Sequence, residues 1–203
     1  MKAENREIRG IEMRATVDEE SRKVEGYALL FNSDSVLMCG DTIERIAPGA
    51  LDGVLEKSDV LCLMNHDEQR GVLARYRMGE GSLSLTVDDK GLKYSFEAPK
   101  TALGDELIES LKRGDISQSS FAFSVEKDIW EETEPGKYVR TIVKFRRIYD
   151  VSPVYYPAYE DTSVALRHRE GLIVKKNQEA KAKAEEERKR ELNEYYINLK
   201  NRF

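Results

Sequence analysis

The chain is poor in the residues that build metal centres and crosslinks. Its 203 residues include two cysteines, Cys39 and Cys62, and two histidines, His66 and His168. Neither a paired-cysteine pattern nor a His-x-x-x-His pattern can be assembled from these four, so no metal and no cofactor is expected. Two distant cysteines point to free thiols in a reducing cytoplasm rather than to a disulfide framework. No apolar run approaches the ~18 residues that span a bilayer, so no membrane association is expected. The N-terminal MKAENREIRG lacks the apolar segment of a secretory signal. No internal repeat is present.

What the chain does have is charge. Hydrophobic residues make up 40%, enough for a packed core, while charged residues reach 35%, above the usual quarter. From Lys175 to Phe203 there are nine Lys/Arg and six Asp/Glu, a net of +3, which leaves −8 on Met1–Val174. An acidic body argues against a specific nucleic-acid surface, which needs clustered positive charge. In the tail the acids are interleaved with the bases, as on a solvated helix.

Most of the body reads as strands. Val24–Phe31 and the near-continuous apolar run Asp59–Met64 are strand candidates, the second in the manner of a strand buried on both faces. Ser82–Val87 and Leu92–Phe96 alternate on either side of Asp88-Asp89-Lys90-Gly91 and predict a hairpin. Pro48–Leu55 predicts a short helix opened by proline. Thr101–Arg113 predicts a longer one. There Leu103, Leu107, Ile108 and Leu111 form a stripe, acids come early, bases come late, and Gly114 stands at the C-cap. Ile116–Val125, Tyr138–Val143 and Arg146–Tyr155 complete the strands, the first two joined through Glu134-Pro135-Gly136-Lys137. The expected fold is α+β, a mostly antiparallel and barrel-like sheet with a few short helices, followed by a charged C-terminal helix. The division is 1–172 for the body and 173–203 for the tail. In that tail Leu192, Tyr195, Tyr196, Leu199 and Phe203 recur at helical spacing, a stripe that can bind a partner or pack on the body.

Three segments carry possible chemistry. His66 follows the buried strand in Asn65-His66-Asp67-Glu68, at a strand end where a rigid backbone meets solvent. A structural or surface histidine is the alternative. In Ser117-Gln-Ser119-Ser120-Phe121-Ala-Phe123, strand alternation puts Ser119 with the two phenylalanines and Ser120 on the opposite face beside Ala122. A polar strand edge would give the same pattern. Asp150 is embedded in the apolar Tyr149–Val154, where a carboxylate needs a partner or a job. Orienting a histidine is such a job; a bridge to Arg146, Arg147 or Arg167 is the alternative.

In order and spacing, these segments resemble the prohead (capsid-maturation) proteases of tailed phages, relatives in fold of herpesvirus assemblins. The resemblance runs from about Val24 to Arg167. It is carried by Glu25-Gly-Tyr-Ala-Leu-Leu-Phe-Asn32, Glu44-Arg-Ile-Ala-Pro-Gly-Ala50 and the strand into Asn65-His66-Asp67. It continues with Lys112-Arg-Gly-Asp-Ile-Ser117, Ser120-Phe-Ala-Phe123, Asp150-Val-Ser152 and Pro157-Ala-Tyr-Glu-Asp-Thr-Ser163. It implies an assemblin-like serine endopeptidase with His66 as general base, Ser120 as nucleophile and Asp150 as third member, without cofactor or metal. Many relatives have Glu at the position of Asp150 and an apolar residue at that of Ser119. Assemblins use a second histidine, which makes His168 the alternative third member, and Arg167 is a candidate oxyanion donor. Asp67 is not the expected third member, because the residue after His66 in an extended chain points the opposite way. The implied partners are the phage major capsid protein with its scaffold segment and further copies of the chain. The implied setting is the assembling prohead in the host cytoplasm, or the cytoplasm for a prophage-encoded protein, with self-cleavage near residues 170–190. A non-catalytic assembly module on the same fold is the rival reading.

Overall fold

A computed structural model describes residues 6–11, 16–17, 22–156, 171, 174, 178, 181–183 and 185–190. The chain forms two compact units, Met1–Asp161 and Thr162–Phe203. In the first unit the strands begin with β1 (Glu7–Ile11), β2 (Thr16–Val17), β3 (Lys23–Leu30), β4 (Thr42–Ile46) and β5 (Asp59–Cys62). They continue with β6 (Ala74–Arg77), β7 (Glu80–Gly81), β8 (Leu83–Val87) and β9 (Gly91–Glu97). Helix α1 (Ala102–Arg113) then precedes the two longest strands, β10 (Gln118–Glu134) and β11 (Lys137–Val154).

The strands make two open sheets rather than a barrel. One runs β1-β10-β11-β5-β6-β7, with β4 also on β11, and the other runs β2-β3-β9-β8. No closing ladder joins the edges of either sheet among the described residues, which corrects the barrel-like expectation. Antiparallel ladders dominate, but β4 and β5 both lie parallel to β11. Side chains of both sheets meet in one apolar core, with Val24, Leu29, Leu92 and Tyr94 from one and Phe121, Phe123, Phe145 and Val151 from the other. Phe145 stands edge-on to Phe121 and Phe123, the favoured arrangement of aromatic quadrupoles.

Local chemistry explains where elements start and stop. Thr101 caps α1 by accepting from the Gly104 amide, and Gly114 ends it in the left-handed conformation at φ 79°. The stripe predicted from sequence lies inward, with Leu107 and Ile108 buried. Pro135-Gly136 turns β10 into β11, with Gly136 at φ 78°. The predicted strands 138–143 and 146–155 are one continuous 18-residue strand. It absorbs its irregularities as register shifts against β10 rather than as a break.

The segment 48–55 is a chain of turns followed by a single 3₁₀ turn, Leu55–Lys57, rather than the predicted helix. Gly49 and Gly53 take φ of 84° and 65°, which a right-handed helix cannot accommodate. Its amides bond three residues back, Ala50 to Ala47, Asp52 to Gly49 and Val54 to Leu51. In the second unit the described residues are helical and exposed, and Glu185–Lys189 and Glu186–Arg190 pair at i,i+4. The apolar stripe from Leu192 to Phe203 lies outside the described residues. No helix among them is long and apolar enough to cross a membrane.

Candidate active site

Three strands deliver the three chemistry-bearing residues to one place. The β10–β11 ladder pairs Ser120 with Ser152 and Ala122 with Asp150. Directly opposed residues of an antiparallel pair point to the same side, so Ser120, Ala122, Asp150 and Ser152 share a face. The other face carries Ser119, Phe121 and Val151 toward the core, as alternation predicts. Ser119 is fully buried there and shares a 2.8 Å hydrogen bond with the Tyr94 hydroxyl.

His66 arrives from the far side of β11. Parallel pairing of Asp150 with Leu61 and Val151 with Cys62 aligns the end of β5 with the acid. The chain then leaves the sheet abruptly. Asn65 and His66 take φ of 56° and 59°, and the Asn65 amide bonds the Pro153 carbonyl at 3.0 Å. Two successive left-handed residues that are not glycine are costly, and such strain concentrates where a side chain must be aimed. Asp67 is occupied elsewhere, its carboxylate accepting from the Gln69 amide.

The result is a continuous chain of hydrogen bonds. His66 Nε2 lies 2.6 Å from Ser120 Oγ, and His66 Nδ1 lies 2.5 Å from Asp150 Oδ1. Ser152 Oγ donates to the same Asp150 oxygen at 2.7 Å, and Arg6 holds the other at 2.5 Å. Burial by itself raises the pKa of Asp150. The hydrogen bond and charge of His66, the Ser152 hydroxyl and the Arg6 charge outweigh it, so the carboxyl sits below the usual range. An ionised Asp150 accepts from Nδ1–H, which leaves the lone pair of Nε2 facing the Ser120 hydroxyl.

Strand β1 borders the site on the other side of β10, with Gly10 opposite Ser120. The Arg9 carbonyl accepts from Ser120 Oγ at 2.8 Å. Ser120 itself has 0% of its surface exposed, and the His66 side chain has 14%. While Arg6 turns to the site, Glu7 and Arg9 turn the other way into a buried ionic cluster. In it Arg9 bonds Glu7 at 2.9 Å and Glu44 at 2.8 Å, and Arg140 bonds Glu7 at 2.6 Å, Glu44 at 2.9 Å and Asp128 at 2.8 Å. Burial works against the Arg140 charge, but these carboxylates outweigh it and push its pKa up.

Sequence reasoning named His66, Ser120 and Asp150, and the fold brings all three together. The arginine on Asp150 is Arg6, however, and not Arg146 or Arg147; Arg147 stacks instead on the Tyr149 ring at 5.2 Å. Arg167 and His168 lie outside the described residues. Ser152 was missed although its i+2 spacing from Asp150 in a strand puts it on the same face. Arg6 carries no local signal, because only the β1–β10 pairing brings it near. Among the described residues, no cluster of three or more His, Cys, Asp or Glu side chains could hold a metal ion.

A carboxylate, an imidazole and a hydroxyl joined in this order are an acid–base–nucleophile arrangement on a mixed β scaffold. The caudovirus prohead serine protease family model matches residues 9–177, and the chain belongs to that family. Membership carries a capsid-maturation protease role and contact with phage capsid proteins. No curated protein and no solved structure matches the chain.

Proposed function

We propose that the chain is a serine endopeptidase that cuts scaffold or capsid-protein segments inside the assembling prohead, with Ser120 as nucleophile, His66 as general base and Asp150 as the group that orients the imidazole. The observation that supports this most is the unbroken relay from Ser120 Oγ through His66 to Asp150. A serine hydroxyl is a weak nucleophile until a base takes its proton, and neutral Nε2 is in position to do so. Oγ would bond the scissile carbonyl carbon, and the proton held on Nε2 would pass to the departing amine. Water would then release the acyl group by the same steps in reverse order. Asp150 would stabilise the imidazolium formed on the way without taking the proton itself.

The rest of the proposal follows the family. Residues 1–172 form the protease domain and 173–203 an appendage through which the chain meets scaffold, cut by its own activity near 170–190. Copies of the chain associate, and activity per chain rises with concentration. The test is incubation of wild type, Ser120→Ala and Ser119→Ala with the phage major capsid protein, followed by intact mass. Cleavage lost in Ser120→Ala and kept in Ser119→Ala is expected; equal cleavage by all three would refute the assignment.

The full burial of Ser120 favours a second reading, an assembly module that keeps the relay but never turns over. Covalent capture of Ser120 by a fluorophosphonate would exclude it.

A further inference from the structure

The Ser120 hydroxyl has one proton and two acceptors. Its Oγ lies 2.6 Å from His66 Nε2 and donates at 2.8 Å to the Arg9 carbonyl. While the proton serves the carbonyl of β1, it is not available to the base. Arg6, immediately before β1, meanwhile clamps Asp150 at 2.5 Å and reaches Glu68 at 3.3 Å. One short segment thus touches both ends of the relay, and the nucleophile has no exposed surface. A peptide cannot reach Ser120 while β1 stays in place.

The way β1 is attached makes its removal feasible. None of its described side chains, Glu7 to Gly10, belongs to the apolar core cluster. Its inward side chains, Glu7 and Arg9, are charged and paired with each other at 2.9 Å. When they leave together, Arg140 keeps Glu44 and Asp128, so no buried charge on the body is left without a partner. A strand held by apolar side chains would open a cavity on leaving, at a cost of several kcal/mol. Here the described side chains hold β1 through ion pairs and through the Arg9 guanidinium lying 5.7 Å from the centroid of the Phe123 ring, contacts of a charged group that water can replace in part.

We infer that β1 is a displaceable strand, occupying in the resting protein the edge of β10 on which an extended peptide substrate pairs, so that substrate and β1 compete for that edge. This rests on the protease reading above. Backbone pairing along residues 119–123, the stretch that β1 occupies, supplies the affinity, as in other cases of strand addition to a sheet edge. The Arg9–Gly10 peptide, whose carbonyl meets Ser120 Oγ and whose glycine stands opposite Ser120, marks the register that a substrate's scissile bond takes. Release of β1 also frees Asp150 from Arg6 and returns the serine proton to His66.

The test uses the full wild-type chain and two rates. Fluorophosphonate labelling of Ser120 is followed by intact mass at rising probe concentration, and opening of β1 by hydrogen exchange of the Glu7–Ile11 amides. Labelling should level off at the opening rate of β1, and these amides should exchange without global unfolding. In Glu7→Gln/Arg9→Gln, which removes the ionic hold of β1, both rates should rise together by ~10-fold or more. Labelling that climbs linearly past the opening rate would overturn the inference and leave the protease intact. So would β1 amides that exchange only when the whole domain unfolds. No labelling while β1 opens freely would overturn the inference and the protease reading together.

Discussion

Removing the bond between Tyr94 and Ser119 tests whether the serine beside the proposed nucleophile is purely structural. Both side chains are fully buried, and their hydroxyls meet at 2.8 Å. Burial pushes the Tyr94 phenol well up, so it stays protonated at any working pH. Replacing one partner leaves the other hydroxyl buried without a hydrogen bond, at a cost of about 1–3 kcal/mol. Replacing both leaves no orphan. Tyr94→Phe and Ser119→Ala should therefore each destabilise by that amount, while the double variant loses little more than either single, a coupling of about 1 kcal/mol or more. At about 2–4 °C per kcal/mol for a chain of this size, each single variant should melt roughly 2–12 °C below wild type. Urea unfolding of the four proteins measures the cycle, and fluorophosphonate capture of Ser120 should persist in all of them. Additivity within about 0.5 kcal/mol would show that the contact carries no energy. Loss of capture in Ser119→Ala would show that Ser119 belongs to the chemistry.

Asp150→Asn should lower turnover by about 10⁴-fold, since an amide cannot hold the Nδ1–H tautomer of His66. Because the folded protein holds the Asp150 carboxyl below its ordinary value, its contribution to stability is present at neutral pH and is lost as pH falls through the folded pKa. The stability gap between wild type and Asp150→Asn, read from urea midpoints, should shrink from neutral pH to below about pH 4; a pH-independent gap would contradict this. Gly26→Ala would put a Cβ 2.8 Å from the Tyr94 hydroxyl oxygen and 3.2 Å from Ser119 Oγ. It should cost about 1–3 kcal/mol by overpacking, less in the Tyr94→Phe background, and an unchanged melting point would refute it. Cys62 is buried, and burial together with the Asp150 charge pushes its thiol well up. Iodoacetamide should therefore modify the partly exposed Cys39 in the native protein and reach Cys62 only after denaturation; equal native labelling of both, seen by peptide mass, would refute that burial.

What the sequence made legible is what neighbouring residues decide. Thr101 and Gly114 frame α1 because caps act within one turn. The hairpin of β8 and β9 and the turn at Pro135-Gly136 declare themselves through alternation and turn chemistry. Alternation also separates Ser119 from Ser120. What stayed hidden depends on partners far apart in the chain. The parallel lodging of β5 against β11, which brings His66 to Asp150, leaves no periodic trace, and neither does the β1 pairing that brings Arg6. The turns at 48–55 were misread because Pro48 promises a helical start, while the left-handed demand of Gly49 and Gly53 is set by the path that the chain must take. The order of motifs that marks the family named the site residues; the geometry supplies the contacts around them.

The topology also has a consequence for the order in which the chain acquires reactivity. Ser120 and Asp150 lie on the two arms of one hairpin, which zips from a two-residue turn. His66 joins them through a short parallel contact between β5 and β11, and its bond to Asp150 spans 84 residues of chain. Contacts that close long loops form late and slowly. On the proposed assignment, a folding chain therefore aligns Ser120 and Asp150 on their hairpin before His66 is seated between them. Until that long-range contact is made, the proposed nucleophile has no base beside it.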